Sequence, residues 1–221
     1  MKLKIQVKPL EIKPLSLAQT GGLSREILPD AGNQPDPTRE QLREFKQHSN
    51  EWVDDIVSTS LRRHNKTDVL HGSRSLQMLL GSAYPRKPKD WDVYSTQEKR
   101  RALQIEASID KKAGCDIAQT RFQPIPKVSS GPDDPFTGKH LYIVETPRVH
   151  NDASIDYMHR PPRLPTQMYK GIRHENLRIA YQKASIRIFR QPLQAHKARK
   201  DKQAIENYGR KGINIPGVPS L

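Results

Sequence analysis

The sequence predicts an α+β fold: a small mixed sheet flanked by helices, a helical C-terminal portion, and extended tails at both ends. Three observations carry it. Short strand-patterned runs alternate with segments of helical periodicity, and one long amphipathic segment precedes them all. The 221 residues are only 34% hydrophobic, with Pro and Gly concentrated at the ends, so the middle can bury one medium core and not two. The boundaries that follow are an arm over 1–36, a domain over 37–208 whose part from about 173 to 208 is helical, and a tail over 209–221.

The arm holds Pro9, Pro14, Pro29, Pro35 and the pair Gly21-Gly22, with little periodicity. Thr38 then suits an N-cap, and Gln41 closes a capping box. Leu42, Phe45, Trp52, Val53, Ile56, Val57 and Leu61 recur at helical spacing, which extends this helix to about Arg63. A short apolar strand at Val69-Leu70-His71 leads into Gly72-Ser73 and an apolar helix. Asp90 to Tyr94 alternates as a strand. Ser95 to Glu98 reads as a second capping box, starting a helix that Gly114 can end. Asp116–Gln123 and Lys139–Pro147 read as strands separated by a loop rich in Pro, Gly and Ser from about Pro124 to Gly138. Another strand surrounds Asp156. Leu177, Ala180, Tyr181, Ala184 and Ile188 trace one helix face, Pro192 breaks that helix, and Gln194–Tyr208 forms a last one.

Several classes are excluded. No apolar run approaches the roughly 20 residues needed to span a bilayer, and Met1 to Lys8 alternates charge with apolar residues instead of forming a signal core. A soluble, intracellular, cytoplasmic protein with no membrane insertion is the expectation. The single cysteine, Cys115, rules out an internal disulfide or a cysteine metal cluster and reads as a small buried residue. The eight histidines lack zinc-site spacing. His71 reads as a structural hydrogen-bonding residue.

Charge points toward phosphate. The chain carries +14, with 38 Lys and Arg against 24 Asp and Glu, and from His159 to Lys211 there are 14 basic residues against three acids. A field polarised in this way suits phosphate-rich partners such as RNA.

The chemistry centres on two short motifs. A Gly-Ser turn between a strand and a helix offers backbone N–H groups and the Ser73 hydroxyl to phosphate oxygens, because a helix N-terminus has unpaired donors and partial positive charge. Strand geometry sends Trp91 and Val93 to one face and Asp90 and Asp92 to the other, where two carboxylates could share a divalent cation. Arg74, Lys197 and Arg199 are candidates for neutralising a bound triphosphate.

This order of parts, Gly72 and Ser73 opening a helix and Asp90-Trp91-Asp92 on the next strand, resembles the nucleotidyltransferases of the polymerase beta superfamily, in a short form like those of viruses and archaea. The resemblance spans about residues 66 to 208. It implies a third carboxylate on a later strand; Asp156 leads through its alternating neighbours Ile155 and Tyr157, with Glu145 and Asp152 as competitors. One departure is the long basic spacer Ser82 to Lys89. The resemblance further implies Mg²⁺ or Mn²⁺ held by Asp90, Asp92 and Asp156, an NTP substrate, and transfer of NMP to an acceptor hydroxyl with release of pyrophosphate. RNA 3′ ends, small molecules and protein hydroxyls all stay open as acceptors, as does the choice among ATP, CTP, GTP and UTP. The alternative is a non-catalytic chain of the same fold, a basic component of a large assembly such as a virion or a ribonucleoprotein, held there by its tails.

Overall fold

A computed structural model of the protein describes residues 26–27, 34–124, 140–149 and 154–210. The first helix, α1 (Arg39–Arg63), begins as its sequence dictates. The Thr38 hydroxyl accepts from the Gln41 amide at 3.2 Å, and the Gln41 side chain accepts from the Thr38 amide at 3.0 Å. Its inward stripe, Phe45, Val53, Val57 and Leu61, is buried, and each such side chain contributes on the order of 1.5–3 kcal/mol of apolar transfer.

Eight strands form one mixed sheet: β1 (Glu26–Ile27), β2 (Asp68–His71), β3 (Trp91–Ser95), β4 (Gln119–Pro124), β5 (His140–Glu145), β6 (Ile155–His159), β7 (Thr166–Tyr169) and β8 (Ile172–Glu175). Their order across the sheet is β1-β4-β5-β6-β3-β2-β8-β7. The β3–β6 and β2–β8 pairs are parallel and the others antiparallel. The remaining helices are α2 (Gly72–Leu80), α3 (Glu98–Ala113), α4 (Leu177–Arg190) and α5 (Ala195–Arg210).

Alternation along the strands divides the sheet into two faces. Leu70, Trp91, Val93, Ile155 and Tyr157 point into the main core, where α1 and α3 supply Phe45, Val57, Ile105 and Ile109. Val69 and Tyr94 point the other way and pack with Leu164 and Ile179 of the C-terminal portion. That second cluster stops short of His71 and Asp92, and an open cleft begins there.

The structure departs from the sequence reading at four places. The hairpin β7–β8 was not expected, because Thr166 to Glu175 is largely polar; it forms around a Lys170-Gly171 turn in which both residues have positive φ (47° and 77°). The second capping box is absent. Ser95 instead accepts from the Gln97 amide at 3.0 Å and donates to Asp68 at 2.7 Å, and Gln97 is the N-cap of α3. Within the arm, Glu26–Ile27 pairs with β4, and the Asp116 amide donates to the Pro35 carbonyl at 2.8 Å, so both segments are bonded to the domain. The helix expected to stop at Tyr208 runs to Arg210. Most of the 124–138 loop, the rest of the arm and residues 211–221 lie outside the described residues. No helix among the described residues is long and apolar enough to cross a membrane.

Candidate active site

Strand register builds the site. Asp92 of β3 is the direct partner of Asp156 on the parallel strand β6 and of His71 on the antiparallel strand β2. Register partners share a face, so Asp92 and Asp156 project to the same side from strands roughly 4.8 Å apart. Asp90 precedes β3 and shares that parity. Between them lies Ser154, whose amide donates to Asp90 Oδ1 at 3.3 Å and whose hydroxyl donates to Asp156 Oδ1 at 2.8 Å.

Two of these carboxylates, Asp92 and Asp156, resist ionisation. Burial raises Asp92 to about 7, helped by the charges of Asp156 and Asp90. Burial also raises Asp156 to about 6; Asp90 and Glu145 push in the same direction, and the Ser154 hydroxyl opposes them. Glu145, the competitor for the third position, is instead paired with Arg121 at 3.3 Å. Asp152 lies outside the described residues.

Gly72 opens α2 with φ +68°, a conformation that side chains rarely adopt. A Cβ on it would stand 2.1 Å from Asp92 Oδ2. The glycine therefore sets both the sharp entry to the helix and the space in which the carboxylate sits. Ser73 follows in the first turn, and the cleft wall contains Gly72, Ser73, Asp90 and Asp92 together.

An all-oxygen, all-carboxylate donor set suits a hard divalent cation such as Mg²⁺ or Mn²⁺ and not a soft metal. Mutual repulsion among Asp90, Asp92 and Asp156, and the cradle at Gly72, fit that role. Among the described residues no three His, Cys, Asp or Glu side chains stand together as a preformed metal cluster.

The cationic candidates separate. Lys197 lines the cleft. Arg199 is exposed on α5 and absent from the cleft wall. Arg74, read from sequence as a triphosphate contact, faces away from the cleft. It pairs with Asp54 of α1 at 3.1 Å, stacks over Trp91 at 4.4 Å, and donates to the Lys89 carbonyl at 3.3 Å and the Asp90 carbonyl at 3.5 Å. Trp91 Nε1 donates to the same Asp54 at 3.0 Å. Arg74 thus fastens the backbone that carries Asp90, and it is not among the residues of the cleft wall.

Sequence reading missed five charged cleft residues: Arg86, Glu175, Lys183, Arg187 and Asp201. Lys183 and Arg187 are one helical turn apart on α4, beside Ala180 and Ala184, whose small side chains leave the cleft open. That i, i+4 spacing was visible in the sequence, but not that the face of Ala180 and Ala184 beside it would border a cleft. Lys183 Nζ is bonded to Glu175 and, at 2.8 Å, to the Tyr94 hydroxyl. Arg86 comes from the long basic spacer, which is fastened to α5: Tyr84 donates to Asp201 at 2.7 Å and Arg86 pairs with Asp201 at 3.2 Å. His71 stacks on Tyr94 with 3.8 Å between ring centroids. Burial, followed by the charges of Lys183 and Arg187, holds its pKa well below the usual histidine range, so the ring is neutral. Its Nε2 has no hydrogen-bond partner, so the expected structural hydrogen bond is not made there.

No protein-family model and no curated protein matches the chain. Among solved structures it is similar to the Megavirus polyadenylate synthase, at 11% identity and TM-score 0.49, over 86% of this chain and 39% of that one. It is similar also to JHP933 from Helicobacter pylori, at 13% identity and TM-score 0.45, over 80% of this chain and 70% of the other. A third likeness is to the antibiotic-resistance factor ANT(2'')-Ia, at 12% identity and TM-score 0.42, over 78% of this chain and 88% of the other. The chain thus spans about two fifths of the Megavirus protein's length.

Proposed function

We propose that the protein is a nucleotidyltransferase of the polymerase beta superfamily type, moving an NMP from an NTP to an acceptor hydroxyl. One observation carries the reading: Asp92 and Asp156 stand in register on one sheet face, beside the Gly72-Ser73 entry to α2. Phosphate and divalent-cation chemistry are thereby adjacent.

Asp90, Asp92 and Asp156 would hold Mg²⁺ or Mn²⁺; when bound, the cation supplies neutralisation of the phosphate oxygens and Lewis-acid polarisation. The α2 amides and the Ser73 hydroxyl take the outer phosphate oxygens. Lys197, Arg187 and Arg86 offset their charge from the opposite wall. Asp156, whose pKa of about 6 leaves it ionised yet basic at neutral pH, accepts the proton of the acceptor hydroxyl. The acceptor oxygen bonds to the α-phosphorus, the bond to the bridging oxygen breaks, and pyrophosphate leaves.

The test is label transfer from each α-labelled NTP, with Mg²⁺ or Mn²⁺, to RNA, aminoglycosides and lysate protein. Wild type should label one acceptor class, and Asp92→Asn and Asp156→Asn should label none. The basic excess from His159 to Lys211 favours the alternative, a non-catalytic component of a virion or ribonucleoprotein. A wild-type chain that binds nucleic acid and transfers nothing selects it.

A further inference from the structure

Four large apolar side chains are exposed among the described residues, and three of them occur within eight positions: Ile186 at 36%, Phe189 at 83% and Leu193 at 93%. The three lie at the end of α4 and in the 3-10 turn Pro192–Gln194 that joins it to α5. Ile186 and Phe189 are spaced i, i+3 and so share one side of α4. Leu193 follows four residues after Phe189, in the turn. An exposed phenylalanine leaves its apolar surface in water, and packing within the domain does not require it there.

The surrounding charge has one sign. From Arg187 to Lys200 the chain carries Arg187, Arg190, Lys197, Arg199 and Lys200, and no acid. Two of these, Arg187 and Lys197, line the Asp92 cleft, whereas Arg190, Arg199 and Lys200 are exposed. Cations thus occur both on the cleft wall and at the elbow between the two helices.

We propose that the α4–α5 elbow binds single-stranded nucleic acid. A base has an apolar π-face and a phosphate one backbone step away. An exposed Phe in a segment rich in Arg and Lys matches that combination, with stacking on the ring and charge neutralisation from the neighbouring cations. Unpaired bases are required, because a duplex hides the faces that Phe189 would meet. A lipid surface would be met by a broad apolar face, and here three apolar side chains stand among five cations. The binding surface does not rest on the nucleotidyl-transfer reading.

The experiment is fluorescence anisotropy of labelled single-stranded RNA, single-stranded DNA and duplex DNA with the full chain, without NTP, across a salt series. Wild type should prefer single strands. Phe189→Ala should weaken binding about tenfold or more, and Phe189→Trp should retain it. Arg190→Ala and Arg199→Ala should each lower the slope of log K against log salt by about 0.7. Phe189 and the two arginines are exposed, so the melting temperature should stay unchanged and report folded protein. Equal affinity for duplex, or full affinity in Phe189→Ala, would overturn the proposal. So would loss of binding to phosphatidylserine vesicles in Phe189→Ala with oligonucleotide binding intact, which would make the elbow a membrane contact. Asp92→Asn separates the two claims: it should bind strands like wild type. If wild type transfers nothing while strand binding depends on Phe189, only the catalytic reading falls. If transfer reaches a small-molecule acceptor and strand binding ignores Phe189, only the elbow falls.

Discussion

Gly72→Ala is the sharpest perturbation of the site, because two independent costs can be worked from the structure. At φ +68° an alanine enters the left-handed region, at about 1–2 kcal/mol. Its Cβ would also stand 2.1 Å from Asp92 Oδ2 and 2.9 Å from Cγ, closer than nonbonded atoms can come. The carboxylate must leave its rotamer, which adds about 0.5–1.5 kcal/mol. Together these give about 2–3 kcal/mol, or about 4–12 °C in melting temperature for a chain of this size. Denaturant unfolding measures it directly.

A double-mutant cycle then assigns the cause. In an Asp92→Ala background only the Asp92 Cβ remains, 3.2 Å away, so the penalty for Gly72→Ala should fall to the backbone component. A coupling of about 1 kcal/mol is expected. If Gly72→Ala costs nothing, or costs the same in both backgrounds, then the glycine does not make room for the carboxylate, and the packing of α2 against β3 has been misjudged.

Four further outcomes are expected. The raised pKa of Asp92, about 7, means that the folded state binds its proton more tightly than the unfolded state. Stability from this group is therefore full below pH ~4 and is lost as pH rises toward ~7; Asp92→Asn should be more stable than wild type at pH 7.5, by an amount that shrinks as pH falls toward 4, measured by urea unfolding without divalent ions, and a difference that does not vary with pH would refute this. Mg²⁺ at about 100 times its Kd should stabilise the wild type by about 2.7 kcal/mol, while Asp92→Asn should show almost no thermal shift; equal shifts would remove the carboxylates as ligands. Arg74→Ala should lower kcat and leave the KM for NTP nearly unchanged, since Arg74 holds the Lys89 and Asp90 carbonyls; a large rise in KM would restore it as a phosphate contact. Asp36→Ala breaks a 2.8 Å pair with Arg148 that is largely solvent-exposed and should change stability by less than about 0.5 kcal/mol, whereas deleting residues 1–36 also removes β1 and the Pro35 bond and should cost more in the same melt.

What the sequence made legible were features fixed by local chemistry. The Thr38–Gln41 capping box, the stripe of α1, the turn at Gly72 and the alternation around Asp92 and Asp156 each depend on residues a few positions apart. What it hid were features decided at a distance. Arg74 follows the Gly72-Ser73 turn directly, and proximity in sequence made it a phosphate ligand. Its partner Asp54 is 20 residues away on another helix, and only the packing of α1 against β3 turns the guanidinium from the cleft. Arg86 shows the converse: its loop read as an insertion, until Asp201 of α5 accepted from both Tyr84 and Arg86 and drew it to the wall. The β7–β8 hairpin was illegible for a third reason. His174 and Glu175 are fully buried polar residues, stabilised by Ser75 at 2.9 Å and by Lys183, so the pattern that marks a strand by its apolar face was missing from it.

These misses have a common cause. The carboxylates lie on strands whose register is enforced by the apolar residues between them: a slip of one residue on β3 would bury Asp92 and expose Val93, and that penalty fixes the acidic half of the cleft. The basic half is carried by α4, α5 and the spacer, whose apolar residues Leu177, Ile179, Ile205 and Tyr84 pack against α2 and the sheet, while its charged side chains are set by ion pairs and hydrogen bonds to Asp201, Glu175 and Tyr94. Polar contacts of this kind are worth less per pair than apolar burial and leave no periodic trace in a sequence. The basic side chains should therefore adjust more readily than the carboxylates. Asp201→Asn, which removes the charge that Arg86 meets and leaves the sheet untouched, separates the two. It should raise the KM for NTP several-fold, with the unfolding midpoint changed by no more than about 1 kcal/mol. An equal loss in kcat at constant KM would place the spacer's role in the chemical step and not in holding the nucleotide.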